Sequence, residues 1–307
     1  MPAYLNAENV PDTVSIVIAT YNRADLLQET IDSALRQTYP NIEIIVVDDG
    51  STDGTSDICA RYGEKIRYFY KENGGQPSAL NRGIAEMRGV WFKWLDSDDI
   101  LEDNAVEELV KFASEMNAKI VYSDCMLIDR YGREVGSGTA PADTTYLDFA
   151  SVLWNSYHGI ISPSSTLIHK HVFEEVGLLD PSVTHAIDYE FFLRACIVYA
   201  IMFHRCSKFL VKYRLHPKQI TAASQADNVK LEMRVLETIR RRYIGLHGQE
   251  KWDQLMVEFK KHDQYSYWRT IAIRLFVLLP TWAGNHALKF YRHLFRRNNI
   301  IYKYQGI

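Results

Sequence analysis

The feature that most constrains this chain is a series of short apolar runs, each of which ends in a polar cluster. The runs occupy residues 14–19, 42–47 and 90–95. Runs this apolar are typical of strands that are buried on both faces of a parallel sheet. Segments with helical spacing of apolar residues separate them, and Ser78 is the expected cap of the helix over residues 78–87. The alternation predicts an α/β fold with a mainly parallel sheet and helices on both of its faces.

The polar clusters after these strands are expected to meet over one crevice. They are residues 20–23 (TYNR), 48–51 (DDGS) and 96–99 (DSDD). In open α/β sheets, ligands bind beyond the carboxyl ends of the strands, which is where these clusters stand. The sequence therefore predicts a ligand site built from three loops.

The cluster after the third run carries three carboxylates, on Asp96, Asp98 and Asp99. Closely spaced carboxylates repel one another, and Mg²⁺ or Mn²⁺ binds carboxylates together with the oxygens of a substrate diphosphate. An acidic turn that caps the next helix explains the same residues, because Asp99 and Asp103 are also good capping residues. Asp48 and Asp49, predicted in the same crevice, favour the metal interpretation.

Asp48 and Asp49 directly follow the second run. A carboxylate at this place can accept hydrogen bonds from a base or a ribose hydroxyl, as in other nucleotide sites. A solvated turn fits the Gly50-Ser51 pair equally well. The chain contains neither GxGxxG after its first run nor GxxxxGK[ST] at any place, which counts against a Rossmann dehydrogenase and against a P-loop ATPase.

Several motifs in the same order resemble those of family 2 glycosyltransferases. They are VSIVIATYNR (14–23), SALRQT (33–38), VVDDGSTDGT (46–55), NGGQPSALNRGI (73–84) and LDSDD (95–99). The resemblance covers roughly the first 225 residues. It implies a GT-A fold that moves a sugar from a nucleotide-diphosphate donor to an acceptor hydroxyl with inversion, and a divalent cation (Mn²⁺ or Mg²⁺) as cofactor.

The resemblance also implies roles for individual residues. The nucleotide contacts would be Ala19, Tyr21, Arg23, Asp48, Asp49, Asn81, Asp96 and Arg214. Tyr21 would border the base and Asp49 would hydrogen-bond it. The metal ligands would be Asp98, supported by Asp99, and His216. Leu80 stands where the family usually has an arginine, which puts the sugar or phosphate contact of that segment in doubt.

Asp188, within HAIDYEFF (185–192), matches the family's acidic motif at the start of a helix and is the predicted general base. A sugar hydroxyl is a poor nucleophile, and a carboxylate within hydrogen-bond reach can take its proton. Without the resemblance, a helix cap with Glu190 in the first turn is the simpler explanation. Other residues between the motifs either line the acceptor site or belong to core and loop: Trp154, Tyr157, His158 and 162–165.

The chain is expected to divide into a catalytic domain at 1–224 and a helical, basic and aromatic extension at 225–307, whose first helix has an apolar face at Leu231, Val235, Leu236 and Ile239. No acidic residue follows Asp263, whereas seven Lys and Arg residues do. Such a segment can lie on an anionic membrane surface or pack on its own domain or a partner subunit. Its longest apolar stretch is shorter than the ~20 residues of a membrane span.

Composition is that of an ordinary globular protein, and the four cysteines are far apart, which predicts buried, reduced thiols and a cytoplasmic location. There are two alternative functions. A nucleotidyltransferase would need a glycine-rich loop after the first strand, and residues 20–24 are not glycine-rich. A non-catalytic sugar-nucleotide-binding or scaffold protein with the same fold is the remaining alternative.

The predicted partners are a nucleotide-sugar donor, with UDP preferred, a glycan or lipid-linked acceptor, and no nucleic acid. The predicted role is cell-surface polysaccharide or glycolipid synthesis.

Overall fold

The computed structural model describes residues 12–139, 145–155, 161–216, 219 and 225–262. The strands of this part of the chain are β1 (Val14–Thr20), β2 (Ile42–Asp48), β3 (Arg67–Tyr70), β4 (Trp91–Trp94), β5 (Ile100–Leu101), β6 (Ile120–Ile128), β7 (Glu134–Gly138), β8 (Thr166–His169) and β9 (Phe203–Arg214). Its α-helices are α1 (Leu27–Leu35), α2 (Thr55–Ala60), α3 (Gln76–Glu86), α4 (Ala105–Met116), α5 (Tyr146–Asn155), α6 (His171–Val176), α7 (Ile187–Leu193), α8 (Gln225–His247) and α9 (Gln249–His262).

The strands form one sheet in the order β3-β2-β1-β4-β8-β6-β9-β5, and β7 pairs with β6. β1 runs parallel to β2 and β4, and β2 runs parallel to β3. The predicted α/β architecture is therefore confirmed, with the three apolar runs lying side by side as parallel strands. β9 is parallel to β6, whereas β8 is antiparallel to both β4 and β6. These later strands lack the regular strand–helix alternation of the first half, and the sequence did not predict their pairing.

Helix α3 begins earlier than predicted, because Gly75 rather than Ser78 precedes its first turn. Gly75 has φ +84°, which is a left-handed conformation that glycine adopts without a steric penalty. Further along α3, a Cβ at Gly83 would overlap the side chain of Val17, so this glycine lets the helix lie close against β1. The close approach fixes the start of α3 beside the carboxyl ends of the central strands.

Apolar side chains fill the core on both faces of the sheet. Along β1, Val17 belongs to one cluster and Ile16 and Ile18 belong to the other, so the strand is buried on both sides. The second cluster packs against α1 and α4, and the first packs against α3, α5 and α7. This arrangement confirms the predicted helices on both faces. All four cysteines are buried and none is disulfide-bonded.

The C-terminal helices α8 and α9 share the first of these clusters. Val235 and Ile239 of α8 and Trp252 and Phe259 of α9 are buried in it, and the rings of Trp252 and Trp154 meet edge to face at 5.3 Å. The apolar face predicted for this region is thus buried at Val235 and Ile239. Residues 220–224, where the predicted domain boundary falls, and residues 263–307, the predicted basic segment, lie outside the described residues. None of the described helices is long and apolar enough to cross a bilayer.

Because α9 packs into the main core, substitutions at its buried and exposed positions are predicted to change the free energy of unfolding by very different amounts. Phe259→Ala removes a ring that is 3% exposed and should lower the free energy of unfolding by about 3–5 kcal/mol. The matched control Val257→Ala, at a side chain that is 51% exposed, should stay within about 0.5 kcal/mol. Urea unfolding followed by circular dichroism measures both. Equal effects of the two substitutions would show that α9 is not part of this core.

Candidate functional site

The loops after β1 and β2 are joined directly, so the first two predicted clusters do meet. The main chain of Asn22, which has φ +51°, donates to Ser51 Oγ at 2.9 Å, and Thr52 N donates to Asn22 Oδ1 at 2.8 Å. Asp49 N donates to the carbonyl of Thr20 at 2.9 Å. The left-handed conformation is one that asparagine tolerates better than most residues, and it turns the side chain back to the second loop.

The third cluster lies beside residues from the first loop and from the end of β9. Asp98 Oδ2 is 2.9 Å from His216 Nε2 and 3.7 Å from Arg23 Nε. The three side chains are between 6% and 17% exposed. The structure therefore brings together the two predicted metal ligands, which are 118 residues apart in the chain, and places a guanidinium group next to them.

The donor chemistry of Asp98 and His216 fits a divalent cation. In this structure Asp98 Oδ2 and His216 Nε2 are hydrogen-bonded to each other at 2.9 Å. One carboxylate and one imidazole suit Mn²⁺, and Mg²⁺ also binds through one or two carboxylates with substrate phosphates. The described residues contain no group of three or more His, Cys, Asp or Glu that could hold a metal. A substrate diphosphate and water can supply further oxygen ligands.

Asp96 is held by neighbours on three elements. Its Oδ1 accepts hydrogen bonds from Trp94 Nε1 at 3.0 Å and from Gln76 Nε2 at 3.1 Å, and its main-chain N donates to Ser164 Oγ at 3.0 Å. Burial raises the pKa of Asp96 to about 7, and the negative charges of Asp98 and Asp188 add to this effect. Gln76 was missed by the sequence analysis, although its place in the NGGQPS segment at the start of α3 could have indicated it.

Asp188 lies half-buried in the first turn of α7. Its negative charge is close enough to Asp96 to raise the pKa of that carboxyl. The residue that caps α7 is Ala186 in a left-handed conformation, φ 54° and ψ 40°, so the simpler explanation of Asp188 as the cap is wrong.

Asp99 and Asp103 were the alternative caps of the helix after the acidic cluster. That alternative is also wrong, because the residue that caps this helix, α4, is Asn104. Asp99 instead accepts a hydrogen bond from Arg214 N at 2.9 Å.

The two carboxylates after β2 have different surroundings. Asp49 accepts hydrogen bonds from Lys71 Nζ at 2.6 Å, Gly74 N at 3.0 Å and Gly75 N at 2.8 Å. A carboxylate has about four acceptor positions, so about one is left for a ligand. Asp48 is 1% exposed and accepts from Ser51 N and from the Tyr68 hydroxyl, both at 2.8 Å. Asp48 thus holds the ends of β2 and β3, and the nucleotide contact predicted for it stays a prediction.

Two other predicted nucleotide contacts, Arg214 and Asn81, are also used by the protein itself. Arg214 is 1% exposed and its guanidinium donates to the carbonyls of Asp98 and Arg130 and to Glu29 Oε2, at 2.8, 3.1 and 2.6 Å. Three of its five N–H donors are thus used inside the fold, and its contact with a phosphate stays a prediction. The amide of Asn81 donates to Leu179 O at 2.8 Å and accepts from Leu179 N at 3.1 Å. This pairing joins α3 to the segment before α7.

The remaining predicted residues fall at the edge of the site or in the core. Tyr21 is 48% exposed just after β1, and Ala19 is 8% exposed within that strand. Trp154 is partly buried and packs against Trp252 of the core, which favours the core alternative for this residue. Within the segment 162–165, Ser164 is buried and contacts Asp96. Tyr157 and His158 lie outside the described residues.

Comparison with known proteins links this arrangement to one family. The sequence model of glycosyl transferase family 2 matches residues 15–177. Uncharacterized glycosyltransferases of Rickettsia typhi and Rickettsia prowazekii are each 41% identical over 214 residues, which is 68% of this chain and 65% of each relative. Glycosyltransferase GlyG of Streptococcus pneumoniae is 33% identical over 183 residues, which is 54% of this chain and 59% of that protein. The chain thus spans somewhat less than two thirds of these relatives.

Solved structures match over most of the chain. S. aureus TarS 1–349 in complex with UDP has a TM-score of 0.62 at 21% identity, covering 85% of this chain and 75% of that one. The same protein in complex with UDP-GlcNAc has a TM-score of 0.64 at 20% identity, covering 81% and 72%. A mannosyltransferase of Pyrobaculum calidifontis in complex with GDP-Man and Mn²⁺ has a TM-score of 0.53 at 16% identity, covering 94% and 81%. These likenesses confirm the GT-A fold.

Proposed function

The chain belongs to glycosyl transferase family 2, and from this premise we propose that it transfers a sugar from a nucleoside-diphosphate donor to an acceptor hydroxyl with inversion at C1. The observation that carries the proposal is the meeting of Asp98, His216 and Arg23 beyond the carboxyl ends of parallel strands. Negative charge develops on the leaving diphosphate during such a transfer. Positive groups fixed at that place stabilise the transition state more than the ground state.

Asp98 and His216 would hold a divalent cation, Mn²⁺ or Mg²⁺, at the diphosphate. When bound, the cation would supply positive charge to the phosphate oxygens as the bond to C1 breaks. Arg23 adds a second positive charge from the neighbouring loop, 3.7 Å from the same Asp98 oxygen. Complexes of the structurally similar mannosyltransferase with GDP-Man and Mn²⁺ support a cation in a fold of this kind.

The donor nucleoside would lie against the loops after β1 and β2. Tyr21 is an exposed aromatic ring at that edge, and the remaining acceptor position of Asp49 can take a hydrogen bond from an N–H group of the base. An N–H flanked by carbonyls, as uracil has, suits a carboxylate acceptor. We propose a UDP-sugar, and the UDP and UDP-GlcNAc complexes of TarS support this choice.

Asp188 would act as the general base. It stands in the first turn of α7, and its negative charge is close enough to raise the pKa of Asp96. Glu190 and Arg194 hold the helix: Arg194 Nε donates to Glu190 Oε1 at 2.8 Å, and its Nη1 donates to Val176 O at 2.7 Å. A base fixed by such packing keeps its carboxylate within reach of an acceptor hydroxyl, whose proton it takes as the bond to C1 forms.

Donor binding is predicted to depend on a divalent cation and on Asp98. In calorimetric titrations with UDP, the wild type should bind with Mn²⁺ and lose binding in EDTA. Asp98→Asn should weaken binding by roughly 100-fold, the upper end of the cost of altering groups around a metal. The control Asp103→Asn, at a side chain that is 60% exposed, should change affinity less than about twofold. Failure of the wild type to bind UDP, dTDP or GDP with any metal would exclude the proposed activity.

The base is predicted to act on transfer and not on donor binding. Asp188→Asn should slow sugar transfer by roughly 10²- to 10⁴-fold, since an amide cannot take the proton, and leave the UDP dissociation constant within about twofold. Release of UDP from UDP-sugars in the presence of membrane lipid extract measures the rate. Asp57→Asn, in the exposed first turn of α2, is the matched control and should have no effect. Donor binding without any transfer by the wild type would favour the non-catalytic sugar-nucleotide-binding alternative.

We further propose a lipid-linked acceptor at the cytoplasmic membrane face, in cell-surface polysaccharide or glycolipid synthesis. The composition of residues 263–307 supports this, because seven Lys and Arg residues and no carboxylate follow Asp263. Each basic residue near an anionic surface contributes about 1 kcal/mol to binding. The full chain should therefore sediment with phosphatidylglycerol vesicles at low salt. Changing Arg292, Arg296 and Arg297 to Gln should release it.

The matched control for that experiment changes Arg240 and Arg241 of α8 to Gln and should leave sedimentation unchanged. Vesicles of phosphatidylcholine, which carry no net charge, should not retain the wild type. Equal retention of the wild type and of the variant at 292, 296 and 297 would contradict the membrane proposal.

A further inference from the structure

Lys93 is a fully buried lysine that neither the donor site nor the base uses directly. It lies on β4, opposite Ile16 of β1 and Leu167 of β8, with 0% of its surface exposed. Transfer of an ammonium group out of water is costly unless the group is paired, and lysine is almost never fully buried without partners. Lys93 is the next-to-last residue of β4 and stands three residues before Asp96. A buried lysine at this place is expected to have a specific role.

The two acceptors of Lys93 are main-chain carbonyls of residues that both hold Asp96. Lys93 Nζ donates to Trp94 O at 2.8 Å and to Ser164 O. Trp94 Nε1 donates to the Asp96 carboxylate at 3.0 Å, and Ser164 Oγ accepts from Asp96 N at 3.0 Å. One ammonium group thus ties together the side-chain contact and the main-chain contact that fix Asp96.

Lys93 also connects the end of β4 to the turn before β8, next to the direct pairing of the two strands. Trp94 ends β4, whereas Ser164 belongs to the short turn Pro163–Ser165 that leads into β8. Because Ser164 is 0% exposed, water cannot replace the ammonium group as the partner of its carbonyl. Loss of Lys93 would leave two buried carbonyls unpaired and let the turn move away from the acidic loop.

The charge of Lys93 has a second consequence for the same loop. The ionisable groups around it are Asp96, Asp99 and Cys125. Burial lowers the pKa of Lys93 to about 7. The negative charges of Asp99 and Asp96 act in the opposite direction, because they favour the ammonium form. Attraction to a buried cation offsets part of the repulsion among the carboxylates of residues 96–99, which stand within four positions of one another.

We propose that Lys93 is a positioning residue for donor binding: it fixes Trp94 and Ser164 so that Asp96 and the loop to Asp98 keep the arrangement that receives a nucleoside diphosphate. This role rests on the proposed function, since it concerns the same donor site. Lys93 touches no ligand itself. Its effect is expected on donor affinity more than on the rate of transfer from a bound donor, because both of its acceptors belong to residues that hold Asp96.

The test compares UDP affinity in the presence of Mn²⁺ for the full-length wild type and for Lys93→Met. Methionine keeps the length and apolar stem of lysine and removes the ammonium group. The UDP dissociation constant and the KM for the UDP-sugar should rise roughly tenfold, as when outer partners of a metal site are altered, while kcat changes less than about twofold. Lys119→Met, at a lysine that is 50% exposed, is the matched control and should leave all three values unchanged.

Ser164→Ala provides a second route. It keeps Lys93 and its carbonyl acceptor, and it removes the Oγ that holds Asp96 N and that also interacts with the Asp99 carboxyl. It should also weaken UDP binding, and in the Lys93→Met background it should add less than about twofold, because both changes release the same contact. This variant decides the question if Lys93→Met does not fold. Unchanged UDP affinity in Ser164→Ala would then overturn the role of Lys93.

The outcomes separate this role from the proposed function. If the wild type binds UDP with Mn²⁺ and Lys93→Met binds it equally well, the positioning role is wrong and the donor site stands. If kcat falls and KM is unchanged, Lys93 does not act through donor binding and the proposal is also wrong. If the wild type binds no nucleoside diphosphate, the proposed function is wrong, and the positioning role of Lys93, which depends on it, is wrong as well.

Discussion

The buried guanidinium of Arg214 holds together the parts of the chain on which the candidate site depends. Its main-chain N donates to Asp99, its Nε donates to Asp98 O, and its other nitrogens reach Arg130 O and Glu29. Those partners lie in the loop after β4, in the turn between β6 and β7, and on α1. His216 follows two residues later and meets Asp98 at 2.9 Å. A group with five fixed donors can join so many segments at once, and no neutral side chain of similar size can do so.

Charge balance is the second constraint on this part of the molecule. Asp96, Asp98 and Asp99 lie within four positions at the end of one strand, and burial raises the pKa of Asp96 and Asp99. Basic side chains lie around them. Lys93 donates to the carbonyl of Trp94 and Arg214 to the carbonyl of Asp98, while Arg23 and His216 lie 3.7 and 2.9 Å from Asp98 Oδ2. The side chain of Asp98 is 15% exposed. A divalent cation and a diphosphate would complete the balance there, which connects the energetics of the fold to the proposed chemistry.

The sequence predicted the elements whose signal is local. Apolar runs that end in polar clusters gave β1, β2 and β4 and the edge at which their loops meet, because strand burial and strand direction follow from short segments. The motif resemblance brought Asp98 and His216 together as a pair, which the structure places 2.9 Å apart. The internal partners of Arg214 and Asn81 were not foreseen, since a polar side chain gives no sign in sequence that distant carbonyls such as Arg130 O and Leu179 O will accept hydrogen bonds from it. Lys93 and Gln76 were missed for the same reason, because their partners come from separate loops.

The most direct test of the central claim asks whether a cation bound with the nucleotide is held by His216. Pulsed electron paramagnetic resonance of Mn²⁺ in the full chain with UDP detects the nitrogen of a directly bound imidazole. The account predicts this nitrogen coupling in the wild type, its loss in His216→Ala, and its persistence in His171→Ala, whose ring packs against His169 opposite the start of β4. A Mn²⁺–UDP complex that shows no imidazole nitrogen, or one whose coupling survives His216→Ala, would contradict the account.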